Sequence, residues 1–257
     1  MTTPIAPWSR ESFQDTGSRA AMTLIAYADG DVVGPDFTLR GRTPRGVPVD
    51  ALDLRGHRHT DSPEWVDNWR TGALRNIAAQ QGLPELDRLD RAPMCYSVKV
   101  ELADPPDLTH LQLAWAAAQA LAEAGAFAIL DCYAFNWYTG AQVAALAPDR
   151  PFSVQDEVSL IAETEPSPGF GHPVHTRGMI KFGRPDLIAG VPAERIQETG
   201  AILNHLARMQ ADGHLLVPGQ LLRFDDGRRT LTVEPYEPAG DVPDVVLAND
   251  GLLLRDR

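Results

Sequence analysis

Residues 95–135 constrain the fold of this chain more than any other stretch. The segment CYSVKVEL, 95–102, alternates apolar and polar side chains with the period of a half-buried strand. Asp104-Pro105-Pro106-Asp107 then ends the strand and caps the next element, since proline cannot donate to a sheet ladder. Leu108, Leu111, Trp115, Ala118 and Ala122, with Leu121 beside them, recur as one apolar helical stripe. Gly125 stops that helix, and AFAILDCYAF, 126–135, is the nearly continuous apolar run of a strand covered on both faces. A strand, a helix and a buried strand in this order make a β-α-β unit, which needs a sheet with helices against it.

The flanks add elements of the same kind. Residues 1–21 read as an N-terminal arm, and 22–257 as a single domain with a sub-boundary near 90. MTLIAYA, 22–28, is strand-like, and 63–81 is helical, with Ser62 as cap, Pro63 in the first turn and Trp65, Trp69, Leu74 and Ile77 at helical spacing. Short helices are expected over 141–146 and 154–162, a strand over 174–182, and a long helix over 192–212 that Gly213 ends. Asp225-Asp226-Gly227-Arg228 has the composition of a tight hairpin turn, and the last residues read as a further hairpin or an edge strand. A strand, Pro106-Asp107-Leu108 and a helix in the centre are echoed later by a strand, Pro185-Asp186-Leu187 and a helix. The expected fold class is α+β: a mixed sheet built from two β-α-β units, with helices packed mainly on one face.

Charge narrows the function. The chain has 35 acidic and 23 basic residues, a net charge of −12. Nucleic acid and anionic membranes would repel such a protein, whereas a basic protein partner would suit it. No apolar run approaches the roughly 20 residues of a membrane span, and the N-terminus lacks the basic and apolar blocks of a secretory signal, so the cytoplasm is the expected location. The two cysteines, Cys95 and Cys132, form no C-x-x-C motif and read as reduced, buried apolar residues. The sequence sets no oligomeric state.

Chemistry-bearing motifs are sparse. His57 and His59 form H-x-H, and His172 and His175 form H-x-x-H. A hydrolytic metal site needs such pairs plus a carboxylate, but no H-E-x-x-H frame is present, and the second pair would face opposite sides of a strand. No cofactor motif, nucleophile elbow or phosphate loop occurs, so neither cofactor nor catalytic residue is assigned. Asn136, Trp137 and Tyr138 end an apolar strand, where aromatic side chains can line a binding rim; the competing reading has Phe135 and Trp137 capping the core. In a strand from Val174 to Phe182, Thr176, Ile180 and Phe182 would face the helices. His175, Arg177 and Lys181 would share the other face, as an anion-binding surface or as partners of Asp156 or Glu157.

The run HTRGMIKFGRPDL resembles the signature T-x-G-M-x-K-F-G-x-x-[DE]-[LI] of an uncharacterised bacterial family of domains of unknown function, through Thr176, Gly178, Met179, Lys181, Phe182, Gly183, Asp186 and Leu187. It is also similar to suppressor-of-fused-like domains, which in bacteria occur among immunity proteins of contact-dependent toxin systems. The resemblance spans residues 95–225 and brings no catalytic residue with it. Charge and resemblance together point to a non-enzymatic cytoplasmic binding protein, an immunity or accessory protein that masks a basic partner protein. The alternatives are a metal-dependent hydrolase using the clustered histidines, and a structural self-assembling subunit with exposed C-terminal strands.

Overall fold

The computed structural model describes residues 4–224 and 229–257, so the Asp225-Asp226-Gly227-Arg228 turn lies outside the described residues. The chain divides into two compact units. One gathers the residues up to Ser9, Ala21–Leu102 and Asp107–Phe152; the other gathers Arg10–Ala20, Ala103–Pro106 and Ser153–Arg257.

The first unit is built on a five-stranded sheet of β1 (Arg19–Ala28), β2 (Leu52–Arg58), β3 (Met94–Ala103), β4 (Ala128–Asp131) and β5 (Asn136–Thr139), in the order β2-β3-β1-β4-β5. Three short helices, α1 (Pro63–Asn68), α2 (Gly72–Gln80) and α3 (Leu86–Arg91), bring Val66, Ala78 and Leu89 into one cluster with Ile25, Tyr27, Cys95, Leu130 and Trp137. The long helix α4 (Thr109–Glu123) is buried at every position from Thr109 to Leu121, as a helix rich in alanine and leucine all round its axis requires. Asp107 Oδ1 accepts from the Thr109 backbone N–H at 3.0 Å, which satisfies one of the orphan donors at the helix start. Trp115 of α4 meets Tyr138 of β5 edge to face, with ring centroids 5.4 Å apart. Tyr138 alternates with Trp137 along β5, so α4 lies over the sheet face opposite α1–α3. A capping box between Thr139 and Gln142 opens α5 (Gly140–Ala144).

The second unit carries a six-stranded mixed sheet of β6 (Ser159–Ala162), β7 (His172–Arg177), β8 (Asp186–Val191), β9 (Leu221–Phe224), β10 (Arg229–Pro235) and β11 (Gly251–Asp256), in the order β6-β7-β8-β11-β10-β9. β8 and β11 run parallel at its centre, and every other pairing is antiparallel. The short helix α6 (Val154–Glu157) precedes β6, and α7 (Ile196–Ala211) packs Ile202, Leu203 and Leu206 against Leu187, Ala189, Leu252 and Leu254. The alternate residues Ile188 and Leu253 face the other way and meet Val242, Val245, Tyr236 and Leu247. Both central strands are therefore covered on both faces, one by a helix and one by the irregular strap 236–250.

The α+β class expected from the sequence holds, but the strands form two sheets and not one mixed sheet. Helices also cover both faces of the first sheet, not mainly one. The proposed echo of the centre fails because Pro185-Asp186-Leu187 enters a strand, where Pro106-Asp107-Leu108 leads into a helix. Expected elements shorten wherever a tight turn intervenes: 63–81 splits at Gly72, whose φ is +59°, and 126–135 breaks after Asp131, whose side chain accepts from the Tyr133 and Ala134 N–H groups. Only Val154–Glu157 of the stretch 154–162 is helical, because Ser159–Ala162 pairs with β7. The C-terminal strand β11 is an interior strand and not an edge. Residues within the expected arm take regular places too: Arg19 opens β1, and the Arg10 side chain is fully buried.

Candidate functional site

The stretch HTRGMIKF is not one strand. Gly178 adopts φ +120°, which L side chains rarely reach, and turns the chain out of β7 into a 3-10 turn at Met179–Phe182. Alternation ends at Arg177, so His175, Arg177 and Lys181 do not share an exposed face. Lys181 is wholly buried: its Nζ lies 3.1 Å from Glu157 Oε2 and donates to the Glu157 carbonyl oxygen at 2.7 Å. Arg177 is also buried and donates from Nη1 to the Val246 carbonyl oxygen of the strap at 2.7 Å. The buried ring of His175 places Nδ1 3.1 Å from the Thr176 carbonyl oxygen, and burial lowers its pKa. Ile180, expected in the core, is half-buried and lines a cleft.

Asp186 ties these pieces together. It is fully buried at the start of β8. Oδ1 accepts from Thr176 Oγ1 and from the Met179 N–H, both at 3.1 Å, and Oδ2 accepts from the Ala248 N–H at 3.3 Å. One carboxylate thus joins β7, the 3-10 turn and the strap. Burial pushes its pKa up to about 6, against the pull of those donors and of Arg177. A carboxyl raised in the folded state stabilises fully below its unfolded pKa and loses that contribution as pH rises through the folded value. The stability of the wild type relative to Asp186→Asn is therefore expected to fall by about 2–3 kcal/mol between roughly pH 4 and pH 6.5. Urea melts of both proteins across that range test this, and a pH-independent difference refutes it.

In the first unit the remaining candidates are separately engaged. His57 stacks on Trp65 with ring centroids 3.7 Å apart and places Nε2 3.0 Å from Ser97 Oγ. His59 lies beyond the end of β2 and places Nε2 3.2 Å from Asp67 Oδ2. His172, in the second unit, places Nδ1 3.2 Å from the Glu163 carbonyl oxygen. Among the described residues no three His, Cys, Asp or Glu side chains are arranged to hold a metal ion. Trp137 is a core residue: its indole N–H donates to the Leu74 carbonyl oxygen, and its backbone N–H donates to Gln81 Oε1 at 2.8 Å. Gln81 thus covers the outer edge of β5, while Asn136 and Tyr138 on that strand are half-buried. In a cleft of about 410 Å³ beside β2, the Tyr96 hydroxyl donates to Asp31 at 2.6 Å and Arg58 lies 3.7 Å from the same carboxylate.

A cleft of about 990 Å³ in the second unit opens where β8 and β11 begin and β10 ends. Its walls include Ile180, Pro185, Pro235, Tyr236 and Leu252, and the exposed acids Glu237 and Asp250 stand at it. The exposed Arg19, with Arg184 and Asn249, also lines it. Arg184 is held by Asp104, with Nη1 at 2.9 Å from Oδ1 and 3.0 Å from Oδ2, and Arg10 Nη1 reaches the same carboxylate at 3.2 Å. Asn249 Nδ2 donates to the Arg184 carbonyl oxygen at 2.7 Å, which fixes the orientation of the amide. Sequence reading missed this site because its walls come from separate segments. One signal was legible: the strap 236–250 holds Glu237, Asp241, Asp244 and Asp250 and no Lys, Arg or His.

No protein-family model, curated protein or solved structure matches this chain.

Proposed function

We propose that the protein is a non-enzymatic binding protein that docks on and masks a basic partner protein, as an immunity or accessory protein does. The strap 236–250 carries this reading. The stretch itself holds four acids and no basic residue, in a chain whose net charge is already −12, and Arg255 of β11 reaches Asp241 with Nη1 at 3.4 Å from Oδ2. Its backbone is pinned by Arg177 at Val246, by Asp186 at Ala248, and by the Tyr236 hydroxyl, which donates to the Pro243 carbonyl oxygen and accepts from the Val245 N–H. A pinned acidic surface binds with little ordering cost and steers a cationic partner towards itself. Val246, 68% exposed, places an apolar side chain among the acids. The resemblance of residues 176–187 to the domain family and to suppressor-of-fused-like immunity domains agrees with this role. A cytoplasmic location belongs to the same reading; among the described residues no helix is long and apolar enough to cross a membrane.

The test is affinity capture from the native host with the wild type and with Asp241→Lys/Asp244→Lys. The expected result is a basic protein that the wild type retains, that moderate salt releases, and that the double variant fails to hold. Retention of an acidic or neutral protein, or equal capture by the double variant, would overturn the proposal.

A further inference from the structure

We propose that the open edge of β2 pairs with β2 of a second copy of this chain, antiparallel across a twofold axis at Leu54. The proposal uses no residue of the acidic strap and stands apart from the partner reading.

The parity of the edge comes first. His59 donates its backbone N–H to the Pro93 carbonyl oxygen, in register with the His57↔Cys95, Arg55↔Ser97 and Asp53↔Lys99 pairs. Bonded and non-bonded pairs alternate in an antiparallel ladder, so Asp53, Arg55 and His57 commit their backbone groups to β3, and those of Leu52, Leu54, Gly56 and Arg58 point away from it. The two flanking turns agree: the Leu52 N–H donates to the Val49 carbonyl oxygen, and the Arg58 carbonyl oxygen accepts from the Asp61 and Ser62 N–H groups. Between those turns the N–H and C=O groups of Leu54 and Gly56 have no partner among the described residues. The other described edges differ. β6 and β9 are four residues long and Gln81 covers β5, whereas β2 runs for seven residues without a proline. A long open edge is a template for another strand.

Charge selects the occupant and the register. Asp53 and Arg55 are exposed on one face of β2 and pair with each other at 2.7 Å. With Leu54 opposite Leu54, Asp53 of each copy lies opposite Arg55 of the other, in the closely spaced non-bonded positions where side chains meet. The neighbouring registers of the same parity set Asp53 against Asp53 or Arg55 against Arg55, which like charges disfavour. In the matched register the two Leu54 residues exchange both N–H···O bonds, and each Gly56 N–H meets the Leu52 carbonyl oxygen of the other copy. Apolar surface agrees with this pairing. Val33, 39% exposed, lines the cleft of about 410 Å³ with Leu54, Gly56 and Arg58, and Val49, 56% exposed, lies just before β2. Antiparallel pairing carries Val49 of one copy towards the end of the other β2 where Val33 stands, so both gain cover. Any extended peptide could satisfy the backbone groups; the matched charges single out this chain's own β2.

The experiment is sedimentation velocity of the full chain over a range of concentrations. The wild type is expected to form a reversible dimer with a dissociation constant on the order of 10 µM, as suits a small strand-paired interface. Asp53→Arg and Arg55→Asp each set like charges against each other twice across the axis, and each is expected to weaken dimerisation at least about tenfold. Mixed in equal amounts, the two variants oppose unlike charges at both places and are expected to recover the wild-type constant within about threefold. Hydrogen exchange of the wild type reads the same edge without a substitution: the Leu54 and Gly56 N–H groups are expected to gain protection as concentration rises. A chain still monomeric at about 500 µM, a dimer indifferent to both substitutions, a mixture that stays monomeric, or no gain of protection at Leu54 and Gly56 would overturn the proposal. Capture of a basic partner is read through Asp241 and Asp244, so the two readings fail separately.

Discussion

Replacing Asp104 with alanine is expected to cost about 3–5 kcal/mol, because it strips two buried guanidiniums of their shared counter-charge. The side chains of Arg10, Asp104 and Arg184 are 0%, 0% and 1% exposed. Neither arginine can lose its proton, so the unpaired charges stay in the interior. Asp104 is held by more than the arginines: Thr16 donates to Oδ2 from both its backbone N–H and its hydroxyl, each at 2.7 Å. Burial alone raises the carboxyl's pKa, but Thr16 and Arg184 outweigh it and hold the group below the usual carboxylate range. Its contribution is thus present above that range and lost as pH falls through the lowered folded value. The same cluster orders backbone. Arg10 donates to the carbonyl oxygens of Pro105, Phe182, Gln210 and Ala211, the last two at the C-terminus of α7, where positive charge is favoured. Arg184 donates to those of Gln14 and Gly213. Asp104→Ala therefore loosens the segment 10–18 and the end of α7 together. Denaturant melts measure the loss, and hydrogen exchange locates it. A cost below about 1 kcal/mol would show that the carbonyls alone hold the arginines.

Lys181→Ala is expected to cost a comparable 3–5 kcal/mol, since it leaves the Glu157 carboxylate buried without its ammonium. The two side chains are 0% and 1% exposed. A lysine on a solvated strand face would have cost under about 1 kcal/mol, so the size of the loss distinguishes the buried pair from the surface that strand alternation predicts. Lys181→Met/Glu157→Met removes both charges together and is expected to recover most of the stability, because an apolar pair of similar volume avoids the desolvation penalty. The double-mutant cycle gives the coupling directly. Additive losses in the cycle would mean that each residue acts through other contacts.

Local periodicity determined a good deal by itself. The apolar stripe from Leu108 to Ala122 fixed α4, which is buried nearly all round, and the alternation of 95–102 fixed β3. The α7 helix with its stop at Gly213 was equally legible, and so was the burial of Cys95 and Cys132 as thiols. Those features depend on neighbours a few residues apart, where backbone geometry dictates which side chains share a face. Tertiary structure decided what periodicity cannot encode. Gly178 interrupts the strand alternation expected over 174–182, and that backbone turn moves Lys181 from an expected surface to a buried pair with Glu157. The central position of β11 beside β8 comes from a pairing between residues more than sixty positions apart, which no local pattern reports. Arg10, Asp104 and Arg184 look like ordinary surface charges in the sequence, because pairing across such separations leaves no spacing to read. The cleft is the same case: its acids were visible as composition, but its walls exist only once the strand ends meet.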